Sequence, residues 1–550
     1  MSPQRPISSA NPPLPASSQA VDVLVVGGGI NGAGIARDLS GRGLKVLLTE
    51  KDDLAAHTSS SSTKLIHGGL RYLEYYEFAM VRKSLAEREV LLKSAPHIMW
   101  PLRFVMPHDT TAASARPVWM IRIGLFLYDH LAKREMLPSS TTVNLRSHPT
   151  GKPLKPLFKK GFVYSDGWVD DARLVVLNAM DARERGAEVL TGWRCTNAER
   201  GSSEWQVKLE NAQGEARSIT ARALVNAAGP WAAQFLNEHV QLQARAPKTK
   251  SLRLIKGSHI VVPKMFDHDH AYIFQNPDKR IIFAIPYEQD FTLIGTTDVE
   301  YNGAVDTAAI DPSEVTYLCE QASRYFEKPV RPADVVWSYS GVRPLMDDES
   351  GDPSAITRDY ALELDTSAAT LLTVWGGKLT TFRKLSEEAA DLLAAPLKTA
   401  RGAWTHDAVL PGGDLAAWVT AQTGEYEIKE NALKEGGFNR FAAAVAQRYP
   451  HLSPQTSHRL ARGYGTRVDQ VLGDGSAQAL GQEVAPGLFE AELNYLHRIE
   501  WANSADDVLW RRTKLGLHFT AAQRAAVTNW CTVNWQNSPT TNLVTERTWN

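Results

Sequence analysis

A chain of 550 residues with 43% hydrophobic and 22% charged side chains is too long for one core and divides into about two or three globular domains. Its formal net charge of −1 excludes bulk electrostatic attraction to nucleic acid. Cys195, Cys319 and Cys531 stand apart with no CxxC spacing, which argues against a disulfide framework or a metal site and for a reducing compartment.

Residues 1–20, MSPQRPISSANPPLPASSQA, lack the apolar run of a signal peptide and the arginines of a transit peptide, and read as a disordered leader. No window approaches the roughly 18 uninterrupted apolar residues that span a bilayer. From Val21 the pattern sharpens. VDVLVV reads as a buried parallel strand, GINGAGIARDL has helical spacing, and KVLLT reads as a second strand closed by Glu50. Gly27, Gly29 and Gly32 fall between strand and helix as G-x-G-x-x-G, with Ile30 and Asn31 inside the motif. Such glycines let backbone N–H groups approach a pyrophosphate at the helix N-terminus, and a carboxylate at Glu50 can accept from ribose hydroxyls. The order strand, glycines, helix, strand, Glu predicts an α/β dinucleotide-binding domain, for NAD or FAD. RALVNAAGPW supplies a late strand with a turn at Ala228 and Gly229, and EWQVKLE and EARSITA alternate like a small antiparallel meander packed on the sheet.

Several segments then combine polar groups with glycine. TSSSSTK holds Ser59, Ser60, Ser61 and Lys64; KLIHGGLRYLE adds Leu65, His67, Arg71 and Tyr72; IKGSHIVVP carries His259 before an apolar strand; and IGTTDVEY has Thr297 and Asp298. YSGVRPL contributes Arg343. GGKLTTFRKL places Gly376, Gly377, Lys378, Leu379, Thr380 and Thr381 between a strand and an amphipathic helix. By composition alone the serine run is a linker and a single Arg is a surface residue. VWMIRIGLFLYDHLAKR reads equally as an amphipathic segment for a bilayer surface or as a buried helix. Past Pro411-Gly412-Gly413 the composition turns helical, and LWRRTKLG reads as a solvated basic turn or a contact for lipid headgroups.

With GGGINGAGIARD, YSDGWVDDARLV and AITRDY, these motifs resemble, in order, the FAD-dependent glycerol-3-phosphate dehydrogenases of the bacterial, membrane-associated type. No EF-hand loop like that of the mitochondrial relatives is present. The resemblance implies a Rossmann-like FAD domain of the glutathione-reductase/D-amino-acid-oxidase type (residues 21–100, 160–235 and 351–400). It also implies an antiparallel-sheet substrate cap (101–159 and 236–350) and a helical C-terminal domain (401–550). It implies FAD as hydride acceptor and glycerol 3-phosphate as substrate. Quinone would be the electron acceptor, at the inner face of the cytoplasmic membrane, with no nucleic-acid partner and a homodimer left open. Arg71, Tyr72, Arg343 and Lys378 would surround the substrate phosphate, with Thr297 and Asp298 nearby. The serine run, Lys64, Leu65, His67 and the segment from Gly376 to Thr381 would line the flavin. The proton acceptor is His67 or His259, a neutral imidazole having a suitable pKa, and Asp298 would orient one of them or cap a turn. An oxygen-using oxidase and a non-catalytic flavin sensor are the alternatives.

Overall fold

The computed structural model describes residues 19–109, 116–242, 250–278, 280–346, 359–423 and 437–535. Most of the leader therefore lies outside the described residues, and its last two residues open strand β1 (Gln19–Val26). Val23, Leu24 and Val25 are fully buried, each stabilising the fold by about 1.5–3 kcal/mol relative to exposure. They are buried because β1 is covered on both faces. It is hydrogen-bonded in parallel to β2 (Val46–Glu50) and to Ala216–Asn226, which in turn pairs in parallel with Thr370–Trp375. Helix α1 (Ile30–Gly41), Asp171–Glu184 and Phe382–Leu397 share one core with the sheet, while Trp205, Phe235 and Trp375 fill the other side. The meander is not packed on this sheet but belongs to it. Ala216–Asn226 is long enough to pair antiparallel with Trp205–Asn211 at its start and in parallel with β1 towards its end.

A second, ten-stranded sheet is centred on Leu252–Pro263, which pairs antiparallel with Trp337–Met346 and Phe291–Gly295. Lys160–Val169, grouped by sequence with the cofactor domain, belongs to this sheet instead. It pairs antiparallel with Met99–Pro107 and receives the two-residue strand Leu65–Ile66. From Leu415 onward the described chain is helical apart from a two-stranded ribbon, Glu483–Ala485 with Leu488–Phe489.

Of two ambivalent segments, the structure sets aside one reading of the first and both readings of the second. Helix Val118–His130 buries only Leu125, Tyr128 and Asp129, leaving Trp119, Met120, Ile123, Phe126 and Leu127 exposed. It is therefore not a core helix, and those five apolar side chains are left uncovered among the described residues. LWRRTKLG is neither solvated nor exposed to lipid: Arg512 and Lys514 are buried, and Trp510 stacks on Trp337 with ring centroids 5.0 Å apart.

Candidate active site

The C-terminal ends of the parallel strands and one face of the second sheet border a common cleft of about 390 Å³, the place where α/β folds of this kind bind ligands. Gly27 adopts φ +114, and a Cβ there would sit 2.5 Å from the Ala227 carbonyl oxygen. Only glycine fits. Gly29 precedes α1 without a side-chain cap, so N–H groups at this helix end are left to face the cleft. Ile30 N donates to Ser59 Oγ at 3.0 Å, joining the serine run to the glycine turn. Gly32 lies behind, where a Cβ would be 1.9 Å from the Gly27 carbonyl oxygen. It lets helix and strand pack and does not line the cleft. Glu50 accepts from Gly28 N at 2.6 Å and from Asp52 N at 3.0 Å. Burial pushes its carboxyl up, against the pull of those two N–H groups.

At the opposite wall Gly377 has φ +99, and its missing Cβ leaves room for Asn31, whose Nδ2 donates to the Gly376 carbonyl at 3.1 Å. Leu379–Thr381 and the helix Phe382–Leu397 follow, again with no side-chain cap. Three buried polar atoms around the cleft have no hydrogen-bond partner among the described residues: Asn31 Oδ1, His259 Nδ1 and Thr381 Oγ1. Uncapped helix ends, glycines in close approach and orphaned polar atoms fit a flavin dinucleotide laid along the cleft.

Most of the expected site residues border this space, including Ile30, Asn31, Glu50, Ser59, Ser61, Leu65, His67, Tyr72, Ala228, Gly229, His259, Arg343, Gly376, Gly377, Lys378, Leu379 and Thr380. Lys378 Nζ sits 5.6 Å from the centroid of the Tyr72 ring, and His67 N donates to Thr380 Oγ1 at 3.3 Å. His259 stacks on Tyr339 with ring centroids 4.8 Å apart, and its Nε2 lies 3.0 Å from Thr63 Oγ1. Burial, with Lys64 and Arg343 nearby, holds its pKa well below the usual histidine value. The imidazole is neutral, with the other ring nitrogen buried and orphaned.

Six expectations besides Gly32 are corrected. Lys64 does not reach the cleft: its ammonium is buried against Asp171 Oδ1 at 2.7 Å and the Ser60 carbonyl at 3.1 Å. Ser60 stays outside the cleft lining, half-buried, its Oγ donating to the His57 carbonyl of the same turn, while Ser62 and Thr63 line the wall instead. Arg71 points to Tyr75 Oη at 3.3 Å, along the exposed side of its own 3-10 turn, and stays outside the cleft lining. Thr297 is buried, donating to Glu314 Oε1 at 2.8 Å and accepting from Ser258 N at 2.9 Å, and Thr296 faces the cleft in its place. Asp298 stays outside the cleft lining and pairs with Arg343. Thr381 is buried just behind Thr380. Sequence reasoning missed Lys51, His57 and Trp231, which close the Glu50 end. Lys51 Nζ is 4.2 Å from the Trp231 ring, whose edge His57 meets at 4.7 Å. Only their nearness to Glu50 and Gly229 in the chain hinted at them.

The sequence family described as FAD dependent oxidoreductase matches residues 22–383, and that described as C-terminal domain of alpha-glycerophosphate oxidase matches residues 403–533. The chain is 48% identical over 518 residues to D-erythritol 1-phosphate dehydrogenase of Brucella abortus, covering 94% of this chain and 98% of that one. It is 50% identical over 521 residues to glycerol-3-phosphate dehydrogenase of Pseudomonas aeruginosa, covering 94% and 96%. Among solved structures, the glycerol-3-phosphate dehydrogenase from Bacillus halodurans complexed with FAD superposes with a TM-score of 0.70 at 26% identity, over 94% of each chain. The cofactor is FAD, and the chain belongs to the bacterial FAD-dependent glycerol-3-phosphate dehydrogenase family.

Proposed function

We propose that this enzyme oxidises sn-glycerol 3-phosphate to glycerone phosphate and passes the electrons to quinone at the inner face of the cytoplasmic membrane. The observation that carries the reading is the convergence of Arg343, Lys378 and Tyr72 on one cleft with two imidazoles, His67 and His259. A phosphate dianion calls for such donors. With the phosphate held by Arg343, Lys378 and Tyr72, the C2 hydroxyl proton passes to the neutral imidazole of His259 or His67. FAD supplies hydride acceptance at flavin N5, so loss of hydride from C2 and of the hydroxyl proton leaves the ketone. Asp298 holds the Arg343 guanidinium in place from behind.

The exposed apolar face of Val118–His130 supports the membrane side of the reading. This helix packs on the turn Leu70–Tyr75, which also carries Tyr72, so an apolar surface stands next to the cleft. No helix among the described residues is long and apolar enough to cross a membrane, so the contact is with the surface. A second reading is favoured by the Brucella relative, which is nearly as similar and is named for D-erythritol 1-phosphate: a four-carbon polyol phosphate as substrate.

Anaerobic mixing of the holoenzyme with each polyol phosphate tests both. Flavin bleaching with glycerol 3-phosphate at the higher kcat/KM is expected, bleaching with the four-carbon compound alone transfers the assignment, and an unchanged spectrum with both leaves a flavin sensor. Peroxide released in air faster than a soluble quinone is reduced would make it an oxidase.

A further inference from the structure

The loop leaving β2 borders the cleft through Glu50, Lys51, Ala55, Ala56 and His57. Asp53, in its middle, turns the other way, into the C-terminal domain. Its carboxylate accepts from Arg512 Nη1 and Nη2, both at 2.7 Å, and from Arg511 Nε at 2.6 Å. Burial alone would raise its pKa, and the two guanidinium groups bring it below the ordinary value. The arginines are themselves held. Arg512 also donates to the Glu500 carbonyl at 2.7 Å, and Arg511 pairs with Asp507. Both belong to one π-helical turn, Asp507–Arg512, whose Trp510 stacks on Trp337 of the second sheet.

A second contact supports the other cofactor loop. Glu500 pairs with Arg173, on the helix whose first residue, Asp171, accepts from Ser62 Oγ at 2.7 Å and Lys64 Nζ at 2.7 Å. Bonds of this forked kind fix orientation as well as distance.

We infer that the C-terminal domain is the retaining clamp of the cofactor: Arg511 and Arg512, as positioning residues, fix the loop from Glu50 to His57 and thereby set how fast FAD leaves. The inference rests on reading this cleft as the FAD site. An interface that merely joined domains would have no need to place three donors on one carboxylate of that loop.

Release of FAD from full-length holoprotein, followed by flavin fluorescence on dilution, tests this beside thermal melting by circular dichroism. Arg511→Gln, Arg512→Lys and Asp53→Asn are each expected to speed release by about tenfold or more, and Arg512→Lys with Asp53→Asn no more than either alone, the mark of one shared interaction. Arg467→Gln breaks a pair with Glu184, another link between the C-terminal domain and the cofactor domain but off the loop, and is expected to leave release unchanged. Melting that falls in the Arg511, Arg512 and Asp53 variants without faster release overturns the clamp, as does equal acceleration by Arg467→Gln. Should Arg512→Lys fail to fold, Arg511→Gln decides alone, its side chain being 19% exposed. A wild type that holds no FAD would instead sink the reading of the cleft.

Discussion

Lys378 carries its ammonium over the Tyr72 ring on a wall it shares with Arg343. On the phosphate-holding role proposed for it, Lys378→Gln removes a charged donor and should lower kcat/KM by about 10- to 100-fold, since hydrogen bonds to charged groups contribute about 1.5–3 kcal/mol. Steady-state rates with a soluble quinone check this. His97 is a different kind of residue. It is fully buried, neither ring nitrogen has a partner among the described residues, and burial beside Arg173 and Arg462 pushes its pKa down to about 3. The unfolded chain takes a proton near 6.5 and the folded one does not, so this stability is complete above pH 6.5 and drains away as pH falls towards 3. Between pH 7 and pH 5 the loss is about 2 kcal/mol. His97→Leu should shed that much of the decline in chemical denaturation at the two pH values. At this scale sequence names a residue type but not a direction. Thr296 faces the cleft and Thr297 the core; Thr63 meets His259 while Lys64, at φ +60, turns back to Asp171. In irregular backbone no periodicity of two or 3.6 says which neighbour points where.

The helix Val118–His130 exposes Trp119 at 61% and Phe126 at 59%. Replacing both by Ser should weaken sedimentation with phospholipid vesicles by about tenfold or more per side chain, each aromatic contributing about 1.5–3 kcal/mol on leaving water. Turnover with a soluble quinone should persist. The helix was legible as amphipathic, but which way it faced was not, because a core and a membrane accept the same side chains. β1, α1 and β2 were legible throughout: apolar runs, glycine spacing and a terminal Glu agree with one another there. Lys160–Val169 was not. Buried at nearly every position, it suits either sheet, and what assigns it is a pairing with Met99–Pro107, a partner that no local pattern encodes.

At the level of the molecule, the site is assembled from stretches far apart in sequence, from Gly27 to Asn31, around Ser59 to His67, at His259, at Arg343 and from Gly376 to Thr380. A ligand that touches so many elements should stabilise all of them together. Stripping FAD should lower the melting midpoint, and adding it back at 100 times its Kd should restore about 2.7 kcal/mol, with FMN recovering less because it lacks the adenine half. The resemblance conveyed the overall division of labour because whole motifs recur in order. It said nothing of how the C-terminal helices grip the rest, since the Asp53–Arg512 pair joins residues with no shared motif. The short strand Leu65–Ile66 carries one last consequence. It is stitched into the second sheet, yet Ser59 on one side of it bonds the α1 turn and His67 on the other bonds Thr380. Transplanting a foreign substrate module onto this FAD scaffold would therefore have to import the passage from Thr58 to Tyr72 with it, because that passage is a seam owned by both halves.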